Sequence, residues 1–343
     1  MRISELPTPA LVVDIEALDR NLSLMAQRFP GSGLRPHVKA HKCTALAAKQ
    51  ATFGHTTFTC ATPREVTGMA LAGVGQHLLL ANEVLDHDRL TTMVAACESA
   101  GIGVTVAVDS SETITAARRA GVIEVLIDID VGLPRCGVPH EQAGELADLA
   151  RRSGLTVMGV MGYEGHLQMV DDREDQRHKV EESMILLRRA HDEVGGPIVS
   201  AGGTGTHLAH ILGLEHRTGV TEIQAGSYAL MDTQYSTLGD GFTRALTVIG
   251  TIISTNGRRV VADVGLKALG MDHGNPAVEA GTVWFCSDEH ITFSCEAGSP
   301  PRVGERVAVV PAHVDPTIAR HDSIWVAQGD EIIDRWEVDL RQW

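Results

Sequence analysis

Two hydrophobic rhythms divide the chain. Up to about residue 240, short β-branched and apolar runs alternate with stretches whose apolar residues recur every three or four positions. Eight runs read as strands, at 34–39, 57–60, 77–81, 104–108, 125–129, 157–163, 197–200 and 222–225. Intervening stretches such as 63–71 and 140–152 read as amphipathic helices. Strand, helix and strand joined by short turns imply parallel pairing. Eight such units predict a (β/α)8 barrel of the TIM type, although the pattern alone also allows an open doubly wound sheet. A further run at 10–13 precedes the barrel, and Asp14 is the expected N-cap of a helix aligning Leu18, Leu22 and Met25.

Past residue 240 the long helical stretches stop. Alternating runs at 246–254, 259–263, 282–286, 291–295, 306–310 and 324–328 predict an antiparallel β domain, with a turn at Gly298-Ser299-Pro300-Pro301. The expected organisation is a barrel over 15–240 and a β domain built from 1–14 and 241–343. No internal repeat or low-complexity linker interrupts it.

Composition narrows the function classes. The chain has 343 residues and a formal net charge of −15, dispersed along its length. A nucleic-acid binder needs clustered Lys and Arg, so a small substrate is expected, with neither nucleic acid nor membrane as partner. The apolar runs are strand-sized rather than membrane-sized, and the polar Met1–Pro9 segment lacks a signal-peptide core. Six cysteines without CxxC spacing predict reduced thiols in a cytoplasmic protein.

Barrel chemistry collects where strands end. The first barrel strand leads into His37-Val38-Lys39-Ala40-His41-Lys42, where strand alternation would put Lys39 on the side of His37 and His41. A lysine at such a place is suited to imine formation with an aldehyde cofactor, although alone the segment reads sooner as two solvated lysines beside two hydrogen-bonded histidines. After the seventh strand comes Gly202-Gly203-Thr204-Gly205-Thr206, and after the eighth Gly226-Ser227-Tyr228. Those are the loops with which barrels hold phosphate, through converging amides and a helix N-terminus. Arg135 follows strand five as a partner for a phenolate or carboxylate. Tyr163 and His166 follow strand six with an aromatic face and a titratable imidazole. In the β domain, Pro316 should hold Asp315 extended, so that His313 and Asp315 project together as ligands for Mn²⁺, Mg²⁺ or Zn²⁺.

In this order the segments resemble the fold-type III pyridoxal-phosphate (PLP) enzymes of the alanine racemase fold, within them the D-threonine aldolase and D-serine dehydratase group. The resemblance spans nearly the whole chain. It runs from Pro7-Thr-Pro-Ala-Leu-Val-Val-Asp14 through Arg35-Pro-His-Val-Lys39, Asp130-Val-Gly-Leu-Pro-Arg-Cys-Gly137 and Tyr163-Glu-Gly-His166. It continues through the glycine loops and Asp263-Val-Gly-Leu-Lys267 to Ser287-Asp-Glu-His290 and Pro311-Ala-His-Val-Asp-Pro-Thr317. It implies that Lys39 bears the cofactor and that Arg135 bonds its phenolic oxygen beside Tyr163. Gly203–Thr206 with Gly226, Ser227 and Tyr228 would hold the phosphate, His313 and Asp315 the metal. It further implies a homodimer acting on a small D-amino acid. Dehydratases of the group tend to carry His-x-Cys where this chain has His313-x-Asp315, so the resemblance leans toward retro-aldol cleavage of a D-3-hydroxy-amino acid, with His166 taking the hydroxyl proton. Dehydration on the same fold and a non-catalytic PLP carrier are the competing readings.

Overall fold

The computed structural model describes all residues except 214–217, 280, 296–300 and 343, and its chain divides into two compact units. The predicted turn at Gly298-Ser299-Pro300-Pro301 lies outside the described residues except for Pro301. One unit comprises Met25–Lys39, Ala47–Gly226 and Leu340–Trp343; the other comprises Met1–Leu24, Ala40–Leu46 and Ser227–Asp339.

The chain opens with strand β1 (Ala10–Asp14) and the helix Ile15–Arg28, whose Glu16 and Ala17 amides donate to Asp14 Oδ1 as the cap predicts. Seven parallel strands follow: β2 (Thr57–Cys60), β3 (His77–Leu80), β4 (Gly103–Val108), β5 (Glu124–Asp128), β6 (Thr156–Met161), β7 (Ile198–Ala201) and β8 (Glu222–Ile223). Each pairs with the next in sequence order. Segment 34–37 closes the ring. Leu34 bridges Ile223 of β8, and His37 bridges Thr59 of β2. The bonds are Arg35 N to Ile223 O (2.9 Å), His37 N to Ala225 O (3.0 Å) and Thr59 N to Pro36 O (2.9 Å). The barrel is therefore eight-stranded. Strands buried along most of their length, such as β3 and β5, are what a sheet covered on both faces requires. Leu79, Ala107, Leu126 and Met161 form one buried cluster across four of them.

The predicted strand at 34–39 ends early. Val38–Ala40 is a 3-10 turn, so strand alternation does not govern Lys39. Its amide turns to His37 Nδ1 (3.4 Å) instead of to a neighbouring strand.

Six strands of the second unit close into a ring of their own: β9 (Leu246–Asn256), β10 (Arg259–Ala262), β11 (Ala277–Val278), β12 (Gly281–Cys286), β13 (Ile291–Cys295) and β14 (Arg306–Val310). β10 bonds both β13 and β9, β12 joins β13 to β11, and β14 joins β11 to β9. The sheet continues from β9 through β1 to β15 (Ser323–Gln328) and β16 (Glu331–Glu337). Pairing is antiparallel except between β1 and β15, which run parallel. A strand from the far N-terminus inserted between β9 and β15 is a long-range event that local alternation does not report. Leu6, Ala10, Val12, Ile249 and Ala327 bury together where it enters.

The barrel closure carries a buried ion pair. Arg35 and Glu222 are 4% and 6% exposed, and Glu222 Oε1 accepts from Arg35 Nε (2.9 Å) and Ser200 Oγ (2.8 Å). Removing one partner strands the other charge. Glu222→Ala is expected to destabilise the fold by about 3–5 kcal/mol, read from urea unfolding; a loss below about 1 kcal/mol would mean that the pair is not part of the closure.

Candidate active site

Three sequence-predicted residues meet on one ring. Lys39, half-buried at the turn after the first barrel strand, places its Nζ 5.6 Å from the centroid of the Tyr163 ring. Arg135 brings its Cζ to 5.5 Å from the same centroid. Two cations thus share one quadrupole, which attracts positive charge at its face. The loops after β5 and β6 pack together to achieve this. Gly132 has φ +115, and a Cβ there would meet His166 Cε1 and Nε2 at 3.1 Å, so only a glycine lets the loop pass the exposed imidazole.

The loop after β7 is built more tightly than its sequence discloses. Gly202 N donates to Glu164 Oε2 (3.1 Å), Gly203 N to Thr206 Oγ1 (3.1 Å) and Gly205 N to Gln168 Oε1 (2.8 Å). Those three amides are engaged within the protein rather than left to converge on an anion. The glycines serve close approach: a Cβ on Gly205 would lie 2.0 Å from the Gln168 carbonyl oxygen. Thr204 and Thr206 are buried with them. Gly226 follows β8 in the same unit, and it too is buried. Ser227 and Tyr228 open a 3-10 turn of the other unit, where Tyr228 is fully buried with its ring 5.8 Å from that of Phe242.

The His313–Asp315 pair exists, but not in the predicted form. His313 is extended, whereas Asp315 lies in the first turn of the helix Val314–Ile318. Pro316 does not force it out, because a first-turn proline gives up an N–H that has no helical partner. Asp315 Oδ2 is buried without a hydrogen bond, 3.7 Å from His313 Nε2. On the other side of the ring, His313 Nδ1 meets Asp272 Oδ2 at 2.7 Å. His273 stacks on His313, with centroids 3.8 Å apart and planes within 9°. Ligand-type atoms of Asp272, His273 and His313 lie within 4.8 Å of one another. The backbone N of Val314 donates to Asp232 Oδ2 (3.4 Å), which anchors the segment.

A divalent cation fits this donor set. A carboxylate oxygen is buried without a hydrogen bond among the described residues, and a carboxylate on Nδ1 leaves Nε2 of the imidazole to face it. PLP fits the barrel residues as well. They offer a half-buried amine beside an aromatic ring, a guanidinium, and a glycine-threonine loop held in shape by Glu164 and Gln168.

Sequence reasoning missed several members. Glu164 stood inside the Tyr163–His166 motif without a role, and Gln168 carried no signal. Asp272 and His273 approach His313 only through the fold, where Gly270 and His313 form a bridge. Asp128, at the end of β5, carries no sequence signal of its own either. Burial and the neighbouring Glu83 carboxylate raise it well above the usual carboxylate range.

The barrel, its strand-end lysine and the glycine-threonine loop, with a separate six-stranded β barrel, define an alanine racemase-like protein. Residues 13–234 match the family described as alanine racemase, N-terminal domain, and residues 245–327 match the putative serine dehydratase domain. The chain belongs to the alanine racemase N-terminal domain family, and it is a PLP-dependent lyase of the D-threonine aldolase-like kind. It is 33% identical to a D-threonine aldolase of Arthrobacter sp, over 99% of this chain and 94% of that protein. A 3-hydroxy-D-aspartate aldolase of Paracoccus denitrificans (strain Pd 1222) is 30% identical over 98% of this chain and 93% of its own. The crystal structure of a D-threonine aldolase from Filomicrobium marinum superposes with a TM-score of 0.92 at 29% identity, covering 99% of this chain and 97% of that one. Among the described residues no helix is long and apolar enough to cross a membrane.

His207, directly after the loop, yields a pH prediction. Its Nδ1 donates to the Thr204 carbonyl (2.7 Å), and its Nε2 accepts from Arg28 Nη1 (2.7 Å), which fixes the neutral tautomer. Burial is the main cause that lowers it from 6.5 to about 3. Because the folded value is depressed, this stability is complete above pH 6.5 and is lost as pH falls toward 3, at about 1.4 kcal/mol per pH unit. Urea unfolding of the apoprotein at pH 7 and pH 5 should show that slope, and His207→Gln should flatten it. An unchanged slope in the variant would assign the acid sensitivity elsewhere.

Proposed function

We propose that this enzyme cleaves a D-3-hydroxy-amino acid of the D-threonine type between Cα and Cβ, giving glycine and an aldehyde. The observation that carries the reading is Asp315: a buried, hydrogen-bond-free carboxylate oxygen beside His313, placed to hold a cation that a retro-aldol step on a β-hydroxyl can use.

Lys39 is the covalent anchor for the cofactor, and Tyr163 flanks it. Arg135 supplies the charge-assisted hydrogen bond to the phenolic oxygen. Thr204 and the backbone amide of Thr206 bind the phosphate together with Gly226, Ser227 and Tyr228, while Gly203 and Gly205 give the loop its shape. When bound, PLP supplies the sink for the electron pair released from the Cα–Cβ bond. His313 and Asp315 would hold a divalent ion, Mn²⁺, Mg²⁺ or Zn²⁺, through one imidazole nitrogen and one carboxylate oxygen, with Asp272 orienting the His313 ring and His273 packed on it. That ion supplies Lewis acidity toward the substrate's β-hydroxyl. A ring nitrogen of His166 accepts the hydroxyl proton as the carbonyl of the aldehyde forms. Atoms balance without any other reactant, because the substrate divides into glycine and aldehyde.

The test is product identification with protein loaded with PLP and Mn²⁺ and given D-threonine. Glycine and acetaldehyde in equal amounts are expected; a 2-oxo acid with ammonia would replace this reading by dehydration. Asp272→Asn is expected to weaken Mn²⁺ binding by about 10–100-fold in titration calorimetry, since it removes the group that orients a ligating imidazole. Unaltered affinity would exclude Asp272 from the cation site.

A further inference from the structure

Glu164 is the one ionisable member of the Tyr163–His166 motif that the reaction leaves without a task. It is fully buried, and it collects three donors from three different places in the barrel unit. Its Oε2 accepts from Gly202 N (3.1 Å), where β7 ends; its Oε1 accepts from Thr206 Oγ1 (2.6 Å) at the far end of the loop, and from His210 Nε2 (3.3 Å) in the helix His207–Gly213. Burial alone would raise this carboxyl, but the hydrogen bond and charge of His210, with the Thr206 hydroxyl, hold it below its ordinary value. It is an anion with no exposure, kept charged by the loop it ties.

The polarity of the whole network follows. A carboxylate can only accept, so the Thr206 hydroxyl must donate to Glu164. That hydroxyl then has only lone pairs to offer Gly203 N (3.1 Å) and Gln168 Nε2 (2.9 Å). The Gln168 amide is thereby oriented with its Oε1 on Gly205 N (2.8 Å). A single charge fixes the direction of each of these bonds and engages three glycine amides. The residue before it, Tyr163, carries the ring that Lys39 and Arg135 approach. One peptide unit therefore joins the support of the cofactor ring to the frame of the glycine-threonine loop.

We propose that Glu164 is the positioning residue of the phosphate loop, setting its shape from within and its distance from Tyr163. This rests on reading Gly203–Thr206 as part of the cofactor phosphate site. Glu164 touches neither cofactor nor substrate; it acts through Gly202, Thr206 and, by way of Thr206, Gln168. Its contribution should appear in the affinity for the phosphate group and be absent from the affinity for the pyridine ring.

Comparing PLP with pyridoxal, which lacks the phosphate, separates those two contributions. Dissociation constants of both are measured by absorbance on the apo forms of wild type, Glu164→Gln and Gly205→Ala. In Glu164→Gln a carboxamide N–H₂ must face a donor or reverse the Thr206 hydroxyl. The preference for PLP over pyridoxal is expected to fall about tenfold, with pyridoxal affinity unchanged. If Gly205→Ala lowers that preference and Glu164→Gln does not, the positioning role is overturned and the phosphate reading stands. If neither lowers it, the loop is not the phosphate site, and both readings fall. Should Glu164→Gln fail to fold, Gln168→Met breaks the same network one bond further out. A wild-type preference in that variant would likewise overturn the role.

Discussion

Segment 34–37 has to bond on both sides to close the barrel, and the Arg35–Glu222 pair sits in that seam. A parallel barrel whose first and last strands do not meet leaves two edges of unpaired backbone, so closure is a requirement for the unit. Here the backbone supplies three bonds, and the buried ion pair fixes their register. Lys39 is two residues past the last of them. Its position at the mouth follows from the seam, and the 3-10 turn that carries it begins where strand pairing ends.

Beyond the seam, the barrel unit is governed by the need to satisfy buried charge. Glu164 is anionic without solvent, and the surrounding loop donates to it. Asp128 is instead raised well above the usual carboxylate range by burial and by the neighbouring Glu83 carboxylate. In the β unit, among the described residues, Asp315 Oδ2 has no hydrogen bond and lies 3.7 Å from His313 Nε2. These two buried carboxyl groups of the barrel unit thus meet burial in two ways: Glu164 by collecting donors, Asp128 by a raised affinity for its proton. Burial of an unpaired charge is too costly to persist without one of these.

Local pattern was a good guide to elements whose partners are near in sequence. The strands 57–60, 291–295 and 306–310, the helix Pro63–Leu71 and the Asp14 cap all stand where periodicity and capping chemistry put them. Reading failed where distant chain decides. β1 parallel to β15, the two-residue strand β11, and Asp272 with His273 against His313 are long-range placements. Lys39 stands in an apolar segment and Asp315 in a proline-marked one, and both patterns predict extended backbone. A 3-10 turn and a helix N-terminus won, because each offered the backbone a partner or lost none. The glycines of the 202–206 loop are legible as a loop, whereas their use for close approach to Gln168 and Glu164 depends on side chains 37 and 38 positions away.

The use of PLP stands on the lysine. Borohydride reduction of the PLP-loaded protein followed by peptide mass mapping locates the cofactor bond directly. The account requires the reduced pyridoxyl group on Lys39 alone, at one per chain. Modification at Lys42 or any other lysine, with Lys39 unlabelled, would contradict it.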